Sequence, residues 1–333
     1  MISFIVTTYN LDDRLLRRCL SSIVGQGLAR DAYEIIVVDD ESTVSPQHVV
    51  DEFAHQASIT LYVQRHARQG AARNLALSHA KGQWVQFVDG DDYLFPHTIA
   101  SLLRCAEANK LDLLMFAFRQ VHDEQPIDNC DGNNCQLSFV NCQLNITTGN
   151  DYMLRHNLFG SCCMQFFSRH LLDAPQHGAP LRFAEGIYIE DEEFVTHLVW
   201  RAQRMARVDT PVYAYYQRAG STVHSRSREH TDELFRNSFA VLGRLLHFEA
   251  SLAEAPHEGV TRKVRSLAID ILRRSLREPD WRERWAQSSR QLCALGLYPI
   301  PSATYSWRYR AFRMLGQCSL GRQVLRVLEK DLR

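Results

Sequence analysis

Five short apolar runs recur through the first third of the chain: Ile2–Val6, Ile35–Val38, Ile59–Val63, Trp84–Val88 and Leu111–Phe118. Each is rich in β-branched or aromatic side chains, the pattern of strands buried on both faces. Between the runs, apolar residues fall at helical spacing: Leu15, Leu16, Cys19, Leu20 and Ile23; Ala71, Leu75, Leu77 and Ala80; Ile99, Leu102, Leu103 and Ala106. Strand alternating with helix predicts an α/β, mostly parallel sheet with helices on both faces. With 333 residues, 45% of them hydrophobic, the chain can bury a sizeable core in two or three packed units.

From Gln120 to Gly149 the alternation weakens into a polar stretch with Asp131-Gly132-Asn133-Asn134, read as a hairpin or loop over the sheet. Gly160–Arg169 predicts a further strand. Glu192–Arg204 predicts a helix with Phe194, Val195, Leu198 and Val199 on one side, and Asp209–Gln217 a strand around Pro211. From Glu229 onward the pattern is helical, broken near Pro256, Pro279 and Tyr298-Pro299-Ile300-Pro301. The expected organisation is therefore an α/β half over residues 1–118, a second half of the same domain over 119–225, and a C-terminal helical region over 226–333.

The formal net charge is zero, but residues 261–333 carry 16 Lys/Arg against 6 Asp/Glu and residues 1–260 carry 22 against 32. Such asymmetry points the tail towards something anionic, or marks a solvated helical surface. Nine cysteines show no paired ligand spacing; Cys130, Cys135 and Cys142 form the closest group, and Cys162 and Cys163 are adjacent. The odd count and a start that enters a strand directly predict reduced thiols in a cytoplasmic protein. No run of 18 apolar residues exists to span a bilayer.

Ligands of open α/β sheets bind beyond the carboxyl ends of the strands. The first run ends in Thr7-Thr8-Tyr9-Asn10, the second in Asp39-Asp40-Glu41-Ser42 and the fourth in Asp89-Gly90-Asp91-Asp92. Carboxylates gathered on one crevice repel one another, and a bound cation relieves the repulsion most simply. Asp89 and Asp91 are two apart, so in extended chain they point to one side, while Gly90 permits a tight bend or close approach of a ligand. Hard oxygen donors suit Mg²⁺ or Mn²⁺. The competing reading is a loop whose acids cap the helix that follows Pro96.

Thr7-Thr8-Tyr9-Asn10, Val37-Val38-Asp39-Asp40-Glu41-Ser42, Gly70-Ala71-Ala72-Arg73-Asn74 and Phe87-Val88-Asp89-Gly90-Asp91-Asp92 together resemble the four successive motifs of bacterial family 2 glycosyltransferases with the GT-A fold. The resemblance covers residues 1–120 and is weaker beyond. It implies a Rossmann-like nucleotide-sugar-binding half followed by an acceptor-binding half. It implies that Thr7, Tyr9 and Asp40 line the base pocket, with Tyr9 stacking on uracil and Asp40 accepting its imide N–H. Arg73 would lie near the nucleotide, Asp89 at the ribose or donor sugar, and Asp91, with Asp89, on a Mn²⁺ or Mg²⁺ ion at the diphosphate. The family's general base corresponds to Asp191, with Glu190 the runner-up among four consecutive acids. Acids at a helix start are also favoured by the helix dipole alone. Arg218 and Ser221 would close over the diphosphate or acceptor, and His224 near them would either do the same or stand as an exposed loop residue, the commoner case for an isolated His. Glu41 stands where the family commonly has Gly, and His97 where it commonly has an acid.

The activity implied is inverting transfer from a nucleotide-sugar donor, a UDP-sugar, to a glycan or lipid-linked glycan acceptor in polysaccharide assembly, with no nucleic-acid partner. A Rossmann oxidoreductase would need G-x-G-x-x-G after the first strand, where none stands. A non-catalytic nucleotide-sugar-binding scaffold would keep the base pocket and lose the acids, all of which are present. Leu320, Val324 and Leu328 align on one helical face with Arg322 and Arg326 beside them. That face is read as peripheral contact with an anionic membrane, as core, or as a homodimer contact.

Overall fold

The computed structural model describes residues 1–122, 144–173, 179–217, 227–252, 254–302 and 306–330. Two compact units divide the chain: residues 1–148 with 160–226, and residues 149–159 with 227–333.

The first unit opens with β1 (Ile2–Thr8), α1 (Asp13–Val24), β2 (Tyr33–Asp39), α2 (Gln47–Asp51), β3 (Ser58–Val63), α3 (Arg68–His79) and β4 (Trp84–Asp89). Then come β5 (Tyr93–Leu94), α4 (Ile99–Ala108) and β6 (Leu113–Val121). In the other unit lies α5 (Gly149–Arg155), after which the chain returns with β7 (Gln165–Ser168), α6 (His170–Asp173), α7 (Glu190–Arg201) and β8 (Met205–Tyr216). The eight strands form one sheet in the order β3-β2-β1-β4-β7-β6-β8-β5. β1 to β4 are parallel, β7 runs against both of its neighbours, and β8 lies parallel to β6. The expected α/β sheet is present, and the first four runs become β1 to β4.

Register carries the functional consequence. Thr8 pairs with Asp39, and Thr7 with Asp89, so the polar ends of β2, β1 and β4 finish level. The chain leaves β1 towards β2 and β3, then returns to the other side of β1 with β4. The crevice between β1 and β4 is thus a topological switch point, where such sheets bind ligands. Phe4, Phe87, Phe166, Phe167 and Phe194 are fully buried around it, and Phe183 stacks on Phe194 at 3.8 Å between ring centroids.

Two boundaries differ from the sequence reading. The helix expected at Glu192 begins at Glu190, which places both candidate base residues in its first turn. Residues 149–159, expected in the α/β half, belong with the helical unit. Asn150 Oδ1 accepts the Gly259 N–H at 2.9 Å, and Arg262 Nη1 donates to the Met153 carbonyl at 2.9 Å, closing the end of α5. The polar stretch 123–143, with Cys130, Cys135 and Cys142, lies outside the described residues.

The second unit continues with α8 (Arg228–Ser251), α9 (Glu258–Arg277), α10 (Trp281–Ala294), α11 (Trp307–Leu315) and α12 (Ser319–Lys330). Leu325 faces its core, while Leu320, Val324, Val327 and Leu328 of α12 are exposed. The flanking arginines do not border that face as free cations. Arg322 lies 5.7 Å over Trp285, and Arg326 5.3 Å over Trp281. Arg273 and Arg277 pair with the buried Glu329 at 2.5 and 2.7 Å. Four arginines of the tail are thus engaged inside the unit. Among the described residues no helix is long and apolar enough to cross a membrane.

Gly82 sits where β4 begins beside β1. A Cβ there would lie 2.5 Å from the Ser3 nitrogen and 2.7 Å from the Trp84 carbonyl. Gly82→Ala is expected to destabilise by about 1–3 kcal/mol, read as a lower urea midpoint at unchanged m-value.

Candidate active site

The helix α3 organises the crevice. Its sequence places Gly70, Arg73 and Asn74 on one face, three and four residues apart. A Cβ at Gly70 would lie 2.7 Å from the Ala184 carbonyl and 3.1 Å from Glu190 Cγ, so only glycine lets α7 start this close. Asn74 Nδ2 donates to the Phe183 carbonyl at 2.9 Å, and its Oδ1 accepts the Phe183 N–H at 2.8 Å. Arg73, 3% exposed, donates from Nη1 to Glu190 Oε1 at 2.8 Å and from Nη2 to Asp89 Oδ1 at 3.0 Å. Its guanidinium lies 5.3 Å over the Phe183 ring. One helix therefore docks the segment leading into α7 and joins the acid of β4 to an acid of α7.

Of the Asp-Gly-Asp-Asp turn, Asp89 and Asp91 stay partly exposed. Asp89 Oδ1 also accepts from Gln69 Nε2 at 2.6 Å, and the same amide reaches Thr7 Oγ1 at 3.3 Å. Asp92 turns inward and is 1% exposed. The Tyr213 hydroxyl donates to Asp92 Oδ2 at 2.6 Å and accepts the Asp89 N–H at 3.1 Å, while the Tyr216 N–H donates to Asp92 Oδ1 at 2.8 Å. Burial, with the charges of Asp89 and Asp91, pushes the Asp92 carboxyl well above the usual carboxylate range. The third acid is thus a structural tie, not a surface ligand. Gly90 is needed for the approach of β1: its N–H donates to the Thr7 carbonyl at 3.1 Å, and a Cβ would sit 2.9 Å from that oxygen.

The base side differs from expectation in one respect. Tyr9 is 48% exposed just past β1, its ring 4.6 Å from that of His66. Asp40, expected to be an open acceptor, is already filled. Its Oδ1 accepts from Gln64 Nε2 at 2.6 Å and from the Ala67 N–H at 2.9 Å. Its Oδ2 accepts the Arg68 N–H at 2.9 Å and faces His66 Nδ1 at 2.9 Å. A carboxylate offers about four acceptor positions, and here each is taken. Asp40 caps the start of α3, so a base N–H reaching it has to displace Gln64 or His66.

At the start of α7, Ile189 holds a left-handed φ of 58°, which a β-branched residue adopts only under strong tertiary constraint. Glu190 is buried against Arg73, and burial raises its carboxyl while Arg73 opposes the rise. Asp191 is partly exposed and accepts the Glu192 N–H at 3.0 Å on Oδ1. Desolvation, then the neighbouring Glu190 charge, push it up to about 8 against the pull of Arg73. Gly160 leaves no room for a Cβ beside the Glu192 carboxylate.

Thr7, Asp89, Arg73 and Glu190 form one connected set through Gln69 and Arg73, and the electrostatics of Asp191 couple it to that set. Arg218, Ser221 and His224 lie outside the described residues. Gln69 and Tyr213 were not among the expected site residues. Tyr213 falls within the strand read at Asp209–Gln217, and nothing local singles it out. Among the described residues no group of three or more His, Cys, Asp or Glu gathers as a ready metal cage. Asp89 and Asp91 are the residues that could hold Mg²⁺ or Mn²⁺, ions that take one or two carboxylates and complete their shell with phosphate and water.

The family model described as glycosyl transferase family 2 matches residues 3–174. The chain belongs to that family. The poly(ribitol-phosphate) beta-glucosyltransferase of Bacillus spizizenii is 32% identical over 117 residues, 34% of this chain and 18% of that protein. The chain thus spans less than a fifth of that relative's length. Among solved structures, Staphylococcus aureus TarS 1–349 in complex with UDP-GlcNAc covers all of this chain and 91% of its own, with a TM-score of 0.66 at 19% identity. The mannosyltransferase PcManGT of Pyrobaculum calidifontis, in complex with GDP-Man and Mn²⁺, gives 0.54 at 18% identity, over 99% of this chain and 85% of its own. These likenesses establish the GT-A type of fold.

Arg73 and Glu190 are both almost fully buried, so removing the cation strands an acid. Arg73→Met is expected to cost about 3–5 kcal/mol at pH 8. Lowering the pH to 5.5 should shrink the deficit, because Glu190 without its partner takes up a proton more readily. Urea unfolding at the two pH values reads both effects.

Proposed function

We propose that this chain transfers a sugar from a nucleotide-sugar donor, a UDP-sugar, to an acceptor hydroxyl with inversion at the anomeric carbon, in assembly of a surface polysaccharide. The observation that carries this reading is Asp191: a carboxylate poised at about 8, beside an acid chain that Arg73 ties to the strand-end crevice. A general base works best with a pKa near the operating pH. Asp191 takes the proton of the acceptor hydroxyl as that oxygen attacks the donor sugar from the side opposite the diphosphate. Glu190 is held by Arg73 and sustains the raised pKa of its neighbour, which favours Asp191 over Glu190 as the base.

Thr7 and Tyr9 wall the base side, where Asp40 orders the 64–68 segment against which the uracil would rest. Asp89 faces the ribose or donor sugar. Asp91, with Asp89, is the pair that would hold Mn²⁺ or Mg²⁺, which when bound stabilises negative charge on the departing diphosphate. Arg73 is the fixed cation beside the donor. Arg218 and Ser221 are assigned to the diphosphate or acceptor side on sequence alone. The acceptor is a glycan or a lipid-linked glycan. The exposed apolar face of α12 supports a peripheral membrane contact or a homodimer, although Arg322 and Arg326 are drawn inward.

The base is tested by pH. Asp191 acts deprotonated and its pKa is raised, so kcat/KM should climb about tenfold per pH unit below a break near 8, then level off. The break belongs to the Glu190–Asp191 pair jointly. Asp191→Asn should lower kcat by roughly 10²–10⁴ while UDP binding by calorimetry is kept. Wild-type turnover in that variant would remove the assignment. A protein that binds UDP yet releases none from any UDP-sugar and acceptor pair would favour the scaffold reading.

The metal is tested separately. Asp91→Ala should abolish Mn²⁺-dependent thermal stabilisation by UDP and leave uridine binding intact. Equal stabilisation by UDP with and without Mn²⁺ in the wild type would count against a metal at Asp91.

A further inference from the structure

Arg18 belongs to no motif of the site, yet it lies directly behind it. It sits on α1 beside buried Leu15, Leu16, Cys19 and Leu20, and its side chain reaches the Asp-Gly-Asp-Asp turn. Its Nη2 donates to the main-chain carbonyl of Asp91 at 2.8 Å. Its guanidinium is held between two rings, 4.7 Å from the Tyr93 centroid and 4.2 Å from that of Tyr216. Nε and Nη1 are buried without a hydrogen-bond partner in the protein. Two desolvated donors are a cost that stacking on aromatic faces offsets in part. An arginine kept at that cost invites a role beyond stability.

The groups it touches belong to one small assembly. Tyr93 follows Asp91 by two residues, and Tyr216 donates its N–H to Asp92. Asp92 is held in turn by Tyr213, whose hydroxyl accepts the Asp89 N–H. Arg18 therefore closes a ring of contacts around the turn, and its contact is with the main chain of the residue whose carboxylate must be aimed outward. A planar guanidinium can stack between two rings and donate in its own plane at once; a lysine ammonium cannot.

We propose that Arg18 is a positioning residue for the diphosphate end of the donor site, fixing the main chain at Asp91 so that this carboxylate is presented to a divalent cation and the diphosphate it carries. The proposal rests on the reading of Asp91 given above. Arg18 itself does not touch the donor.

The test compares wild type with Arg18→Lys, Arg18→Met and Tyr216→Leu. Mn²⁺ affinity in the presence of UDP is read by the paramagnetic resonance of free Mn²⁺, alongside the melting temperature and donor KM and kcat. Loss of a group that orients a metal ligand costs about 10–100-fold in metal affinity. Both Arg18 variants should show such a loss, Lys failing to rescue, and Tyr216→Leu a smaller one, with uridine affinity unchanged in all three. In an Asp91→Ala background Arg18→Lys should add nothing. Wild-type Mn²⁺ affinity in Arg18→Lys, whatever its melting temperature, overturns the proposal. Should the wild type bind no Mn²⁺ with UDP, the metal reading fails by itself. Arg18 is then judged on UDP affinity: weaker UDP with unchanged uridine binding upholds positioning of the turn, and unchanged UDP binding overturns it. If Arg18→Met does not fold, the Lys and Tyr216→Leu variants carry the comparison.

Discussion

One buried guanidinium holds the crevice together. Arg73 stands between Asp89 at the end of β4 and Glu190 at the start of α7, with Phe183 against its face. Without it, two acids from opposite sides of the crevice would meet in a region of low dielectric, where like charges cannot both persist. With it, they are drawn to one centre. Because each partner comes from a different element, the ion pair also fixes where α7 begins relative to the sheet. That position also sets Asp191 within electrostatic reach of Asp89.

The Gly-Ala-Ala-Arg-Asn stretch is best understood through this one contact. Gly70 removes a side chain so that α7 can approach, Asn74 grips the Phe183 backbone in both directions, and Arg73 supplies the charge. Fold and chemistry are served by the same three residues. The Asp-Gly-Asp-Asp turn divides its labour similarly. Asp92 is spent on Tyr213 and Tyr216, Gly90 on the β1 backbone, and Asp89 and Asp91 stay partly exposed.

The sheet is legible in sequence because buried parallel strands need continuous β-branched and aromatic runs, and those runs have few other uses in a chain of this composition. The strand-end acids are legible for the same reason, since register then places Thr7, Thr8, Asp39 and Asp89 level. What cannot be read is how each acid is used. Asp40 looks like an open acceptor until the 64–68 segment folds back and loads it with four donors. Asp92 looks like a third surface acid until a tyrosine from β8, more than a hundred residues on, takes it inside. Glu190 and Asp191 are equivalent in a string of four acids, and only the position of Arg73 separates them. Arg322 and Arg326 look solvated on a helical projection, whereas Trp285 and Trp281 lie close enough to stack on them. In every case the missing information is a long-range partner, which local periodicity does not encode.

In the proposed reading, the separation of Glu190 from Asp191 is how a neighbouring ion pair tunes the base. Arg73 spends its two contacts on Glu190 and Asp89, and both acids lie within electrostatic reach of Asp191. Desolvation raises Asp191 most, the neighbouring Glu190 charge raises it further, and Arg73, which opposes the rise, is already shared between Glu190 and Asp89. If Arg73 paired with Asp191 instead, that carboxylate would be acidic and a poor proton acceptor at neutral pH. The strained turn at Ile189 sets the first residue of α7, and so decides which acid meets the arginine.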